Sequence, residues 1–346
     1  MNPDRILVRA PTWIGDAVMA TPVLRALRHS YPHAEIVVEG RPLLAELLAG
    51  LDSFDRFLPD PGGGAIAMVS RAARLRREHF DWAVLLPDSQ RAALGPFLAG
   101  IPKRIGYAHD PLRRWLLTEA LDGPHRNGER LPIPMTERYL AITDRLGCSV
   151  RNDRLELAVQ SGDDESATAS LLRYDVGTDE PLLIVTPGAA FGTSKLWPVE
   201  HFAAACDGIA ARLGLVPILA PGPGEVPIAK RIAGLSEKRI VCLDDPPPSI
   251  AEVKALVRRA KLLLTNDTGP RQIAVAVGTP VVVLMGPTDP RHTQQHMERQ
   301  RVLREDVDCS PCQLKTCPID HRCMTRLSPE RAIAAAQELI VESLPG

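Results

Sequence analysis

The chain has 346 residues, 45% of them hydrophobic and 24% charged, with a formal net charge of −1. That is an ordinary globular composition for about two domains, and its charge balance gives no global reason to expect nucleic acid as a partner. No apolar run approaches the roughly 20 residues of a membrane-spanning helix, and the opening MNPDRILVRA enters a strand without a leader-like charged and apolar stretch. The expectation is a cytoplasmic protein whose seven cysteines are mostly reduced.

Taken in chain order, RILVRA (5–10), AEIVVEG (34–40), FDRFLPD (54–60) and DWAVLLP (81–87) read as strands. Helical stretches at Asp16–His29, Pro42–Ala49 and Ala65–Glu78 separate them, the order of right-handed βαβ units on a parallel sheet. Proline and glycine mark loops at 59–64 and 122–134. The pattern restarts after a polar, helix-like segment at 161–174. LLIVTPG (182–188), LVPILAPGPG (215–224), RIVCLDD (239–245), KLLLTND (261–267) and PVVVLMG (280–286) are near-continuous apolar runs, as buried parallel strands are. Helices are expected at Pro198–Leu213, Glu225–Gly234, Ile250–Arg259, Thr268–Val277 and Pro329–Glu342. The expected architecture is α/β, with two doubly wound, Rossmann-like domains at 1–160 and 175–325 facing a central cleft. Residues 326–346 are expected to form a C-terminal helix that packs back towards the first domain.

Four strand-to-helix turns carry the candidate chemistry. In TNDTGPRQIA (265–274), Asn266, Asp267, Thr268 and Gly269 open a helix whose free N–H groups form either a diphosphate seat or a plain N-cap. PGAAFGTSKLWPVEHF (187–202) offers Lys195 just before a helix, as a point charge for phosphate or as a solvated lysine. Neither a Walker-type P-loop nor a G-x-G-x-x-G turn is present. Glu225, in APGPGEVPIAKRIA (220–233), suits ribose hydroxyls or simply the positive end of a helix. Asp16 follows the loop that ends in Gly15, and is either a cap or a base. Arg71, Arg74 and Arg77 recur at three-residue spacing, and Lys103, Arg104, Arg113 and Arg114 form a second basic group. Cys309, Cys312, Cys317 and Cys323, with His321 among them, could ligate zinc, pair under regulation or pack as reduced thiols.

Together, IGDAVMATPVLRALR (14–28), PKRIGY (102–107), PGAAFGTSKLWPVEHF, NDTGP (266–270) and GPTDP (286–290) resemble the ADP-heptose:lipopolysaccharide heptosyltransferases, glycosyltransferase family 9, in the heptosyltransferase II branch. The resemblance runs in order over nearly the whole chain. It implies a GT-B fold and an inverting transfer of heptose from ADP-heptose to a heptose of the lipopolysaccharide inner core, without a metal or other cofactor. By the same resemblance Asp16 is the general base. Lys195 holds the diphosphate, Glu225 the ribose and Asp267 the donor heptose, with Thr268 and Gly269 at the phosphates. The acceptor, lipid A–Kdo–heptose at the inner membrane surface, is anionic. Arg71, Arg74, Lys103 and Arg104 are therefore expected to bind it, with peripheral contact to the cytoplasmic face of that membrane. The family's usual histidine after the DTG turn is Gln272 here, with Arg271 beside it as a substitute phosphate contact. A nucleotide-sugar epimerase on the same fold is the alternative, as is a binding module or electron carrier built around the cysteine loop.

Overall fold

The computed structural model describes residues 2–60, 62–126 and 129–342. Met1, Pro61, residues 127–128 and 343–346 lie outside it, and with them parts of the loops expected at 59–64 and 122–134 and the end of the expected C-terminal segment. The chain divides into two compact units, one of Met1–Leu157 with Arg291–Thr293, the other of Ala158–Pro290 with Gln294–Gly346.

The first unit is built on strands β1 (Arg5–Arg9), β2 (Glu35–Gly40), β3 (Arg56–Pro59), β4 (Trp82–Leu85), β5 (Lys103–Tyr107) and β6 (Glu119–Leu121). They form one parallel sheet in the order β3-β2-β1-β4-β5-β6. Its helices are α1 (Ile14–Met19), α2 (Thr21–Ser30), α3 (Leu43–Leu48), α4 (Ala65–Arg77), α5 (Gln90–Ala99), α6 (Pro111–Leu116) and α7 (Met135–Arg145), and a small hairpin pairs β7 (His125–Arg126) with β8 (Glu129–Arg130). Ile6, Leu7 and Val8 are buried on both faces of the sheet, which is why the strand reads as an unbroken apolar run. The single helix expected over Asp16–His29 is two. Pro22 lies in the first turn of α2, where a missing N–H and a fixed φ are tolerated. A continuous helix through that point would lose a backbone hydrogen bond, so α1 stops at Met19 and α2 restarts at Thr21.

The second unit repeats the plan. Strands β9 (Leu182–Thr186), β10 (Val216–Leu219), β11 (Val241–Cys242), β12 (Leu262–Asn266), β13 (Val281–Leu284) and β14 (Gln300–Leu303) are parallel, in the order β11-β10-β9-β12-β13-β14. Helices α8 (Ser161–Leu172), α9 (Val199–Leu213), α10 (Val226–Leu235), α11 (Ile250–Arg259), α12 (Gly269–Val277), α13 (Arg322–Thr325) and α14 (Pro329–Glu342) cover it. Every residue of β9, β12 and β13 is buried.

Within its own unit the C-terminal helix α14 packs on α9, β13 and β14. Its inner face presents Ala332, Ile333, Ala335, Ala336 and Leu339. Gly208 of α9 has no side chain where the Ile333 Cδ1 arrives, 2.3 Å from where a Cβ would stand, so the helices approach closely. Arg301 of β14 then pairs with Glu338 at 3.2 Å and with Glu342.

Candidate active site

In doubly wound sheets ligands sit beyond the strand C-termini, beside the point where strand order reverses. In the first unit that point lies between β1 and β4, and the loop leaving β1 leads into α1. Asp16 is the third residue of α1. The N-cap is Trp13, extended and without a side-chain capping bond, and the Ala17 N–H donates to its carbonyl at 2.9 Å. The capping alternative for Asp16 is thereby removed: its half-buried carboxylate stands in the first turn. Its charge reaches Tyr139 of α7. Burial raises that phenol well above its ordinary pKa, Asp16 and Asp88 add to the rise, and Arg138 opposes them.

Around this point lies a cluster that the sequence did not single out. Asp88, after β4, accepts from Arg138 at 2.7 Å and pairs with His109 Nε2, after β5, at 2.7 Å. The Arg138 guanidinium also stacks 3.7 Å from the centre of the Tyr107 ring. The signal available was positional: 88 and 109 each follow a parallel strand directly.

The expected acceptor-binding arginines are placed differently. Arg71 is buried, and its guanidinium donates to both oxygens of fully buried Glu39, from Nε at 2.7 Å and Nη2 at 2.5 Å. Arg9 reaches Asp60 at 2.8 Å and Glu39 at 3.4 Å. Arg74 donates to the Pro59 carbonyl at 2.9 Å and to Glu39 at 3.3 Å, with part of its side chain still exposed. Lys103 pairs with Glu119 at 3.0 Å and lies over the Trp82 ring, while Arg104 donates to the Leu116 carbonyl at 2.8 Å and stacks on Phe97. Fully buried Arg113 donates to the carbonyls of Tyr107, Ser89 and Pro87. Arg71, Lys103 and Arg104 tie strands and helices together, because charges entering a low-dielectric interior must be paired there.

The second unit draws its expected residues into one place. Asp267 follows β12 and is buried. Burial pushes its carboxyl up, but Lys195 and Arg271 beside it, with hydrogen bonds from Thr288 and Arg271, more than offset that and hold it below the usual carboxylate range. Lys195 Nζ lies 2.6 Å from the Asp267 carbonyl oxygen and 3.2 Å from Oδ2. Thr288 of the GPTDP loop donates to Oδ2 at 2.7 Å, and Arg271 Nη1 to Oδ1 at 2.9 Å. Thr268, the N-cap of α12, makes no side-chain capping bond, and Gly269 is the first helical residue. Arg271, expected as a substitute phosphate contact, has a buried guanidinium whose Nε donates to Gln300 Oε1 at 2.8 Å. Thr288 is the residue of this seat that the sequence reading did not name.

Two further contacts shape the seat. Asn266 donates to the carbonyls of Pro187 and Gly188 at 2.7 and 3.3 Å and accepts from the Trp197 N–H at 3.3 Å, so the loop bearing Lys195 is fastened to the end of β12. Glu225 accepts the Gly222 N–H at 2.9 Å, and its carboxyl carbon lies only 1.7 Å from where a Cβ on Gly188 would stand. Glycine at 188 is therefore required for Glu225 to lie across the turn after β9.

The cysteines at 309, 312, 317 and 323 are all free thiols, and among the described residues no three His, Cys, Asp or Glu side chains are grouped to hold a metal ion. Burial, with the neighbouring thiols, pushes Cys323 up to about 11.

Two doubly wound units, one with a carboxylate after its first strand and the other with a cationic strand-to-helix seat, define the GT-B class of glycosyltransferases. The chain belongs to glycosyltransferase family 9 (heptosyltransferase), which residues 68–322 match. It is 30% identical over 315 residues to lipopolysaccharide heptosyltransferase 2 of Escherichia coli K12, covering 87% of this chain and 88% of that one. The crystal structure of E. coli ADP-heptose lipopolysaccharide heptosyltransferase II superposes with a TM-score of 0.78 at 25% identity, over 98% of this chain and 99% of that one. A glycosyltransferase family 9 structure from Veillonella parvula has the same fold, with a TM-score of 0.83 at 23% identity over 99% of both chains. The protein is thus a glycosyltransferase, and the epimerase alternative falls away.

Proposed function

We propose that the protein is an inverting glycosyltransferase that moves heptose from ADP-L-glycero-D-manno-heptose to a heptose of the lipopolysaccharide inner core. Its E. coli relative carries the name of that activity. The observation that carries the reading is Lys195 on Asp267 at the turn into α12, with Arg271 on the other carboxylate oxygen. Two cations against that carboxylate stand at a helix start whose own partial charge is also positive, which suits a diphosphate.

On donor binding, Lys195 turns from Oδ2 of Asp267 to the diphosphate, and Oδ2 then accepts a hydroxyl of the donor heptose. The Thr268 hydroxyl and the Gly269 N–H donate to phosphate oxygens, and Glu225 accepts from the ribose hydroxyls. Asp16 takes the proton from the acceptor hydroxyl as that oxygen bonds to the anomeric carbon. The bond from that carbon to the β-phosphate oxygen breaks, and its electron pair leaves with ADP. Fixed cations at the departing phosphates stabilise charge where it develops. The acceptor is lipid A–Kdo–heptose, and Arg74, the most exposed of the arginines around Glu39, meets its acid groups. The anionic acceptor would bring the enzyme into peripheral contact with the cytoplasmic face of the inner membrane; no described helix is long and apolar enough to cross one. The test is incubation with ADP-heptose and a panel of truncated cores, following ADP release. Turnover confined to cores that already carry a heptose is expected; equal release without any acceptor refutes the reading.

A further inference from the structure

The cysteine-rich segment has no part in the chemistry above, yet it is bonded to both loops that meet at Asp267. On one side the Ser194 N–H donates to the Lys315 carbonyl at 3.0 Å and the Ser194 hydroxyl to the Leu314 carbonyl at 2.5 Å. The Ser194 carbonyl lies 2.6 Å from His321 Nε2; since a carbonyl only accepts, that nitrogen carries the proton. Ser194 is buried and directly precedes Lys195. On the other side the Cys312 and Gln313 N–H groups both donate to the Pro287 carbonyl, at 3.0 and 2.9 Å, and the Ser310 hydroxyl to that of Gly286 at 2.6 Å. Pro287 directly precedes Thr288.

The fit is close on both sides. A Cβ on Gly192 would stand 2.2 Å from the Lys315 carbonyl oxygen, and one on Gly286 would stand 2.5 Å from the Met324 sulfur and 2.9 Å from that of Cys323. His321 itself holds a left-handed backbone, with φ 58°, a conformation that persists in a non-glycine residue where surrounding contacts impose it.

The geometry points to residues 310–323 as a strap that holds Lys195 and Thr288 within hydrogen-bond reach of Asp267, with His321 as a positioning residue for the donor diphosphate. The inference rests on the donor-seat reading proposed above. Without the His321 proton the buried Ser194 carbonyl loses its partner, the 192–195 loop relaxes, and the Lys195 ammonium is no longer held in advance of the ligand. His321 touches no reacting atom, so its loss should appear in donor affinity and not in the chemical step.

The test uses the full chain, with ADP alone as the calorimetric probe and ADP-heptose in steady-state assays. H321A should weaken ADP and raise the donor KM about tenfold, leave kcat within about twofold, and be largely restored by H321Q, whose amide N–H can take the place of Nε2–H. Lys195→Met is measured alongside. If it leaves ADP binding unchanged, the donor-seat reading itself fails; if it weakens ADP while folded H321A does not, the strap fails alone. A loss in kcat without a loss in ADP affinity also overturns the strap. Should H321A not fold, S194A, which cuts only the bond to Leu314, is read by the same two outcomes.

Discussion

Replacing Lys195 by methionine keeps the aliphatic stem and removes one charge from a seat where both partners are nearly dry: the side chain is 13% exposed and that of Asp267 10%. A hydrogen bond to a charged group contributes about 1.5–3 kcal/mol, so if Lys195 turns to the diphosphate, ADP should bind roughly 10- to 150-fold more weakly. The same substitution leaves Asp267 with Arg271 and Thr288 but without its second cation. The carboxyl is held below its ordinary value in the folded protein, so the stability it contributes is present above the unfolded pKa of about 3.9 and is lost as pH falls through the lower folded one. Burial is the opposing cause, and with Lys195 gone it weighs more. Acid unfolding of the variant should therefore begin at a higher pH than in the parent protein. Titration calorimetry with ADP and melting curves between about pH 3 and 7 measure the two effects separately. Parent-like ADP affinity in a folded K195M protein would refute the proposed exchange of Lys195 between carboxylate and phosphate.

Asp16→Asn should lower kcat by about 10²- to 10⁴-fold, the range for a positioned base, while ADP affinity stays within twofold of the parent; retained turnover removes Asp16 from the mechanism. Arg71→Ala leaves fully buried Glu39 without its two-bond partner and should cost about 3–5 kcal/mol in a denaturant titration, with the acceptor KM of the folded fraction nearly unchanged. A large acceptor KM effect with parent-like stability would instead support the expected binding role of Arg71. With its pKa pushed up to about 11 and its side chain buried, Cys323 should resist iodoacetamide at pH 8 while exposed Cys312 reacts readily, as peptide mass spectrometry can read. Equal alkylation rates in folded protein would show that the loop opens.

The inner strands were legible because burial on both faces writes itself as an apolar run, as in LLIVT and LLLTN. Three others, β5, β6 and β14, were not. β14, QRVL, carries Arg301 for α14, and β5 opens with Lys103 and Arg104, whose partners are Glu119 and backbone carbonyls. The same blindness affected the basic residues. Three-residue spacing puts Arg71 and Arg74 on one helix face, but what covers that face is Glu39, far away in sequence. The site at Asp267 was readable because strand, turn and helix are contiguous there. Thr288 and His321 were not, since they join it only through folded loops.

The short length of α1 has a consequence for how the enzyme can be tuned. Severed from α2 at the proline, this single turn and a half leans on α3 and α7, and the Asp16 carboxylate shares its field with Tyr139. Exchanges along α7, remote in the chain from the loop after β1, can therefore change the surroundings of the proposed proton acceptor without altering any residue proposed to meet a sugar.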